Sequence, residues 1–195
     1  MKIIIAIFLL MVAIPGHAVQ GPEQLIRDTT DKVLTEMRTR ADYYASNADS
    51  LFNLVEEVVL PHFDFDQMTN LALGRYEEQV TPAQLPLIVK EFRTLLVRTY
   101  GKALLEYTDE VVTFLPMEGS VAEGKVTVRT EIAQAGGFPI PLNYSLKLRD
   151  NGWKVFDISV DDISLVTNYR SSFARAIKKD GVDGLIKTLR DRNQQ

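Results

Sequence analysis

In "PHFDFDQMTNLALG", residues 61–74, a histidine and two carboxylates fall at alternate positions: His62, Asp64 and Asp66. Imidazole nitrogen and carboxylate oxygen are metal ligands, and an imidazole beside a carboxylate is also an acid–base pair. Tyr144 and Asp157, on neighbouring predicted strands, form a second candidate, because a phenol and an acid in one pocket can take a proton from the carbon next to a carbonyl. Asp161 and Asp162 are a second acidic pair that could join Asp64 and Asp66 around a hard cation. Zinc asks for several His or Cys ligands, yet the chain has no Cys, and His62 is the one His beyond residue 17. No calcium-loop spacing surrounds the aspartates, and no nucleophile elbow, Walker loop or dinucleotide glycine motif occurs.

The same cluster also reads as the start of a helix. Asp64 suits an N-cap, and Gln67 three residues on completes a capping box. Phe63 and Met68 stand at the positions of a hydrophobic staple. Asp66 lies in the first turn, where the helix dipole favours a negative charge. Phe65, Met68, Leu71 and Ala72 then share an inward face, and Gly74 stops a helix over 65–73. Tyr144 and Asp157 likewise read more simply as a core ring and an acid bonded near the sheet edge.

The elements that would position these groups divide the chain in three. Residues 22–107 read as helix. Pro22 suits a first helical position, and Leu25, Ile26, Val33, Leu34 and Met37 recur at helical spacing. "NADS" at 47–50 offers Asp49 or Ser50 as the next cap, ahead of Leu51, Phe52, Val55, Val58 and Val59. Thr81, Pro82 and Gln84 open a long helix, with Pro86 predicting a loose first turn. Val89, Phe92, Leu96, Tyr100, Ala103, Leu104 and Tyr107 form its apolar stripe. Residues 109–162 alternate as strands do: Val126, Val128, Thr130 and Ile132, then Ile140, Leu142, Tyr144, Leu146 and Leu148, each set separated by polar residues. "DNG" at 150–152 predicts a hairpin, and "WKVFDISV" a fourth strand. Trp153 and Phe156 would face opposite ways on it, and Phe156 with Ile158 and Val160 is taken as the inward set. Residues 163–192 return to helix through Leu165, Val166, Tyr169, Phe173 and Ile177, with a break at Gly181, a last short helix carrying Leu185, Ile186 and Leu189, and a fraying "RDRNQQ" end. The fold class is α+β, a four-stranded antiparallel curved sheet covered by helices from both ends of the chain.

Residues 1–18 read as a secretory signal peptide: Lys2, an apolar run from Ile3 to Ile14, and Gly16-His17-Ala18 with cleavage after Ala18. Twelve apolar residues are short for a membrane span, which disfavours an uncleaved anchor. No Cys follows to take a lipid, and none is available for a disulfide. Residues 19–195, at 46% hydrophobic and 25% charged over the whole chain, suit one globular domain. Residues 1–146 carry net charge −7 and 147–195 net +3. The acidic total argues against nucleic acid as a partner, and Arg170 and Arg175 read as solvated charges before they read as a phosphate site.

"PHFDFDQMTNLALGRY", "EFRTLLVRTYGKAL", "WKVFDISVDDISLVTNYRSSF" and "GVDGLI" together resemble the MlaC, or toluene-tolerance, family of periplasmic phospholipid-binding proteins. The likeness runs in order along nearly the whole chain after residue 18. It departs after Tyr76, where the family often has an aromatic and this chain has Glu77 and Glu78. The resemblance implies an NTF2-like sheet with a helical subdomain and a deep apolar cavity between them. It implies a monomeric periplasmic carrier moving phospholipid between an outer-membrane lipoprotein-porin complex and the MCE-domain subunit of an inner-membrane ABC transporter, so keeping outer-membrane lipid asymmetry. It implies no enzyme activity and no cofactor. The lining would be Val126, Val128, Leu142, Tyr144, Leu146 and Phe156 from the sheet, Phe92, Leu96 and Tyr100 from the long helix, and Tyr169 and Phe173 from the late one. The same stripes suit a filled core, which leaves two rivals: an enzyme on a small apolar substrate using Asp157 and Tyr144, and an interaction or chaperone module without a cavity.

Overall fold

The computed structural model describes residues 20–101, 111–134 and 136–194. The signal peptide, the Ala103–Leu104–Tyr107 part of the long stripe and the start of the sheet region at Asp109 lie outside the described residues. Among the described residues, five α-helices and five strands follow in the order α1 (Pro22–Ser46), α2 (Ala48–Val58), α3 (Phe65–Leu73), α4 (Leu85–Tyr100), β1 (Val112–Ser120), β2 (Lys125–Ile132), β3 (Ile140–Arg149), β4 (Gly152–Val160), β5 (Ile163–Ser164) and α5 (Leu165–Asn193). Short 3-10 turns at Leu60–His62 and Gly74–Gln79 flank α3. No helix among the described residues is long and apolar enough to cross a membrane.

The strands form one antiparallel sheet in sequence order. It has five strands where the sequence predicts four, the fifth being two residues long. That extra strand exists because Asp161 and Asp162 both take positive φ, 50° and 61°, so a two-residue turn folds Ile163 back onto Val160. Tight hairpins of that kind need positive φ at both central positions, and Asp tolerates it. The Asp161–Asp162 pair is therefore a turn. At the other hairpin Arg149 pairs with Gly152, so the turn residues are Asp150 and Asn151, with Gly152 (φ 107°) just after them. The predicted hairpin is present, one residue earlier than an Asn-Gly centre would put it.

α3 spans the predicted residues and ends on Gly74, which has positive φ. α4 begins as foreseen: Thr81 and Gln84 bond reciprocally, N–H to Oε1 at 3.1 Å and N–H to Oγ1 at 3.3 Å, and regular helix starts at Leu85, with Pro86 inside the first turn where its missing N–H costs nothing. Two predictions at helix ends change. Neither Asp49 nor Ser50 caps α2, because Asn47 takes that position without a side-chain cap bond. The C-terminus does not fray before Asn193. Asn193 is buried, and its Nδ2 donates to the Glu91 carbonyl (3.0 Å) and to Glu91 Oε2 (2.9 Å), while Arg190 pairs with Glu91 at 3.1 Å. Gly181 breaks α5 with φ 71° and ψ −172°.

Burial divides into three clusters. Met68, Ala72, Leu73, Tyr76, Ile88, Phe92, Leu95, Leu96, Val166, Phe173, Ile177, Leu185, Ile186 and Leu189 fill the space between α3, α4 and α5. Leu25 and Ile26 of α1 cover Val126, Val128, Leu146, Trp153 and Val155 on one face of the sheet. Val33, Met37, Tyr44, Leu51 and Val58 join α1 to α2. Phe63 packs against both the helical cluster and the sheet cluster.

Candidate functional site

The segment that looked reactive is the joint between those two clusters. Phe63 bridges to Val155 of β4, and the Asp64 N–H donates to the Val155 carbonyl at 2.8 Å. Asp64 Oδ1 accepts from the Gln67 N–H (2.9 Å), which is the predicted cap. Its Oδ2 accepts from Arg149 Nε (2.7 Å), with Arg149 Nη2 also at 2.6 Å. The other half of the capping box is not made, because Gln67 Oε1 accepts from Arg149 Nη2 instead (2.7 Å). Lys154 Nζ donates to the Pro61 carbonyl (2.6 Å). His62 is pushed below the usual imidazole pKa, first by burial and then by Lys154 and Lys32. A helix start is thus riveted to the end of the sheet, and both Asp64 oxygens are committed to that task. Among the described residues no group of three or more His, Cys, Asp or Glu could hold a metal ion.

The Tyr144–Asp157 pair is not assembled. Tyr144 pairs in register with Ile158 and Asp157 with Ser145, so the two side chains point to opposite faces of the sheet. Asp157 Oδ2 accepts from Ser164 Oγ (2.6 Å) and Oδ1 from the Val166 N–H (3.2 Å), so it holds the start of α5. The Tyr144 hydroxyl bonds Thr30 of α1, a contact that lowers its pKa, but burial is the larger effect and raises it to about 12. It is a neutral core ring at any ordinary pH.

What the sheet does assemble is an apolar face. Lys125↔Lys147 to Ile132↔Ile140 pair without interruption, so Val126, Val128, Thr130 and Ile132 lie opposite Leu146, Tyr144, Leu142 and Ile140 on one side. Phe114 and Met117 of β1 and Ile158 of β4 pack on the same cluster. Thr130, the one polar residue in the β2–β3 rows, is fully buried and donates its hydroxyl to the Leu142 carbonyl. The face is dry at the end near Val126, Leu146 and Val155, where α1 covers it. Toward Ile132, Ile140 and Leu142 it is only partly buried.

The β4 contribution departs from the predicted alternation. A bulge separates Leu146↔Val155 from Ser145↔Asp157, leaving Phe156 as the extra residue. Trp153, Val155 and Ile158 consequently share the inner face. Trp153 is buried, whereas Phe156 lies beside the Lys125 ammonium (5.6 Å from its ring centre) and Val160 is exposed. The inward set named for this strand keeps Ile158 and loses Phe156. No local residue announces the bulge, so period-two reasoning had no warning.

On the helical side Phe92, Tyr169 and Phe173 meet edge to face, with ring centres 5.0, 5.0 and 6.2 Å apart. Leu96 is buried with them, while Tyr100 stands at the edge, exposed. Its phenol is raised first by burial and then by Tyr169, with which it hydrogen-bonds. The buried face of α4 runs Ile88, Phe92, Leu95, Leu96, rotated from the predicted Val89–Phe92–Leu96–Tyr100 line. Sequence reasoning thus put sheet and helix residues in one lining, and the structure places them in two clusters that Phe63 connects. Two surface clefts, of about 340 Å³ between α1 and α2 and about 440 Å³ beside α4, include none of the eleven expected lining residues, and charged groups such as Lys32, Glu36, Glu56 and Arg93 lie along them. Arg170, a candidate phosphate ligand, donates instead to the Leu71 carbonyl at 2.9 Å and closes the end of α3.

An antiparallel sheet with one uncharged face, buried at one end and partly buried at the other, beside a separate helical core, suits a protein that binds something apolar. Comparison with known proteins agrees. Residues 27–191 match the MlaC protein family, and the chain belongs to that family. The toluene tolerance protein ttg2D of Pseudomonas putida is 28% identical over 174 residues, covering 88% of this chain and 80% of that one. The intermembrane phospholipid transport system binding protein MlaC of Haemophilus influenzae is 21% identical over 178 residues, covering 90% and 83%. A phospholipid-binding protein from Ralstonia solanacearum, solved in complex with a phospholipid, superposes with a TM-score of 0.82 at 33% identity, covering 90% of this chain and 98% of the other. Glu77 and Glu78, the departure from the family pattern, are exposed beside buried Tyr76.

Proposed function

We propose that this protein is a periplasmic phospholipid carrier. A two-chain phospholipid hides about 30 methylenes, and exposing each costs roughly 0.8 kcal/mol, on the order of 20 kcal/mol in all. Crossing water therefore needs an apolar, uncharged enclosure. The observation that carries the reading is the inner sheet face: from Val126 and Leu146 to Ile132 and Ile140 the register puts no charged side chain on it, and it is half-open at one end. The family membership and the lipid held by the Ralstonia relative support the same reading. Acyl chains would enter along the partly buried Ile132, Ile140, Leu142 and Ile158, with Val128 and Tyr144 behind them.

In this proposal the chain is delivered to the periplasm by residues 1–18. There it passes lipid between an outer-membrane lipoprotein-porin complex and the MCE-domain subunit of an inner-membrane ABC transporter, acts as a monomer without a cofactor, and supports outer-membrane lipid asymmetry. Protein purified without detergent should yield stoichiometric phospholipid on organic extraction and mass spectrometry. Protein that is reproducibly free of lipid and takes none from vesicles would refute it.

A further inference from the structure

The half-open end of the sheet carries a rim of exposed apolar side chains. Phe138, between Gly137 and Pro139 in the β2–β3 connection, is 92% exposed, and Val111, Ile163 and Val160 are 63%, 62% and 38% exposed. Topology gathers them. The Val111 carbonyl accepts from the Ala133 N–H at the end of β2 (3.0 Å), and the Asp161 N–H donates to the Pro141 carbonyl at the start of β3 (2.9 Å). Val160 and Ile163 pair across the turn between them. The rim continues into the apolar inner face, since Val160 pairs with Leu142 and Ile132 with Ile140. From Ile132 to Leu146 the sequence has no charged residue.

An aromatic ring held in water at the tip of an uncharged hairpin is costly unless it meets an apolar surface. A partner guided by charge would find little here to hold. The charges that flank the rim among the described residues include Glu131, paired with Pro141, and the exposed Asp161 and Asp162 on a left-handed turn; all are carboxylates and would repel an anionic surface. We infer that this end of the sheet, led by Phe138, inserts shallowly into a zwitterionic phospholipid surface, bringing the mouth of the apolar face level with the acyl chains it takes up or releases. The inference rests on the carrier reading and adds where the lipid crosses from membrane to protein.

A Phe138→Trp, Trp153→Phe protein has its one indole at the tip, since the chain has a single Trp. With phosphatidylcholine vesicles bearing brominated chains its emission should move to the blue and be quenched, with both effects weakened by anionic phosphatidylglycerol and little changed by salt in pure phosphatidylcholine. Phe138→Asp should slow lipid exchange between such vesicles by about tenfold, the order expected when one aromatic ring no longer finds an apolar site. Its extracted lipid content should stay that of the unsubstituted protein. Unchanged emission and exchange in a protein whose extracts contain phospholipid would overturn the inference and leave the carrier reading standing. An effect of Phe138→Asp that appears only when a partner protein or a second copy is present would also overturn it. Extracts without phospholipid would refute the carrier reading itself, whatever the indole reports.

Discussion

Phe92 and Phe173 sit between α3, α4 and α5 at 0% and 1% exposure, each ring touching the edge of another. Ile132 and Leu142, equally apolar, lie on a sheet face that closes at one end only. The helical cluster is tied at its margins by Asn193 and Arg190 to Glu91 and by Arg170 to the Leu71 carbonyl. At the open end of the sheet the described residues are joined by backbone bonds, from Ala133 to Val111 and from Asp161 to Pro141, and the rim is apolar. Residue type is therefore a poor guide to role in this fold. What separates a filled core from a partly open face is whether a second layer covers the residue, and that depends on where α1 stops covering the sheet.

The largest test of that contrast is Phe173→Ala. Removing a ring from a filled cluster should cost about 3–5 kcal/mol, read as a fall in urea midpoint. Leu142→Ala should cost no more than about 1–2 kcal/mol, because a partly buried side chain loses less transfer energy, while lowering the phospholipid recovered on extraction. Equal stability losses in the two variants would erase the distinction between a filled core and an open face. Next is Gly181→Ala. Gly181 lies at φ 71° and ψ −172°, a region nearly reserved for glycine, so about 1–3 kcal/mol should be lost. The break it makes lets Val182, Leu185, Ile186 and Leu189 join the cluster that Phe173 occupies, so lipid content should be unaffected per folded molecule.

Asp64→Ala acts on the joint and should cost about 1–2 kcal/mol, combining a lost cap with a lost, partly exposed ion pair to Arg149. Asp64→Asn should recover most of the cap and little of the pair. Equal losses in both variants would show that the pair, and with it the tie to the sheet, outweighs the cap.

α3 was legible because its signals are local: a cap, a staple and a terminal glycine within a dozen residues. The strands of β2 and β3 were legible because their alternation is unbroken. What could not be read was set by distant partners. Gln67 has the right spacing for a reciprocal box, but Arg149, far along the chain, takes its oxygen. The C-terminal residues look frayed in isolation and are held by Glu91. The β4 bulge moves Trp153 inward and Phe156 outward without any glycine or proline to mark it. The lining was half legible for the same reason. Period two names the inner face of a sheet, but covering is a property of the other layer. Ile132 and Ile140 belong to the half-open part of that face and stand in the strand pattern without being singled out, whereas Ile158 is in the inward set named for β4.

The smallest effect concerns Tyr144, where the sheet face meets α1. In an unfolded chain its phenol ionises near 10.0, whereas burial in the folded protein holds it neutral to about 12, against the weaker opposite pull of the Thr30 hydrogen bond. Between those two values the unfolded chain has already released the proton that the folded chain still holds. Stability should therefore fall as pH rises from about 10 to about 12, and no such contribution exists below 10. His62 works in the other direction. Its lowered pKa means the unfolded chain binds a proton first, so stability falls as pH drops below 6.5. In Tyr144→Phe the alkaline slope should shrink, leaving the part due to other phenols such as Tyr100, while stability at neutral pH changes by about 1 kcal/mol or less, the net worth of one hydrogen bond. Denaturant midpoints measured from pH 9 to 12 for both proteins give the comparison. An alkaline slope identical in the two would mean that water reaches the Tyr144 hydroxyl, and that the covered part of the sheet face ends before Tyr144 rather than beyond it.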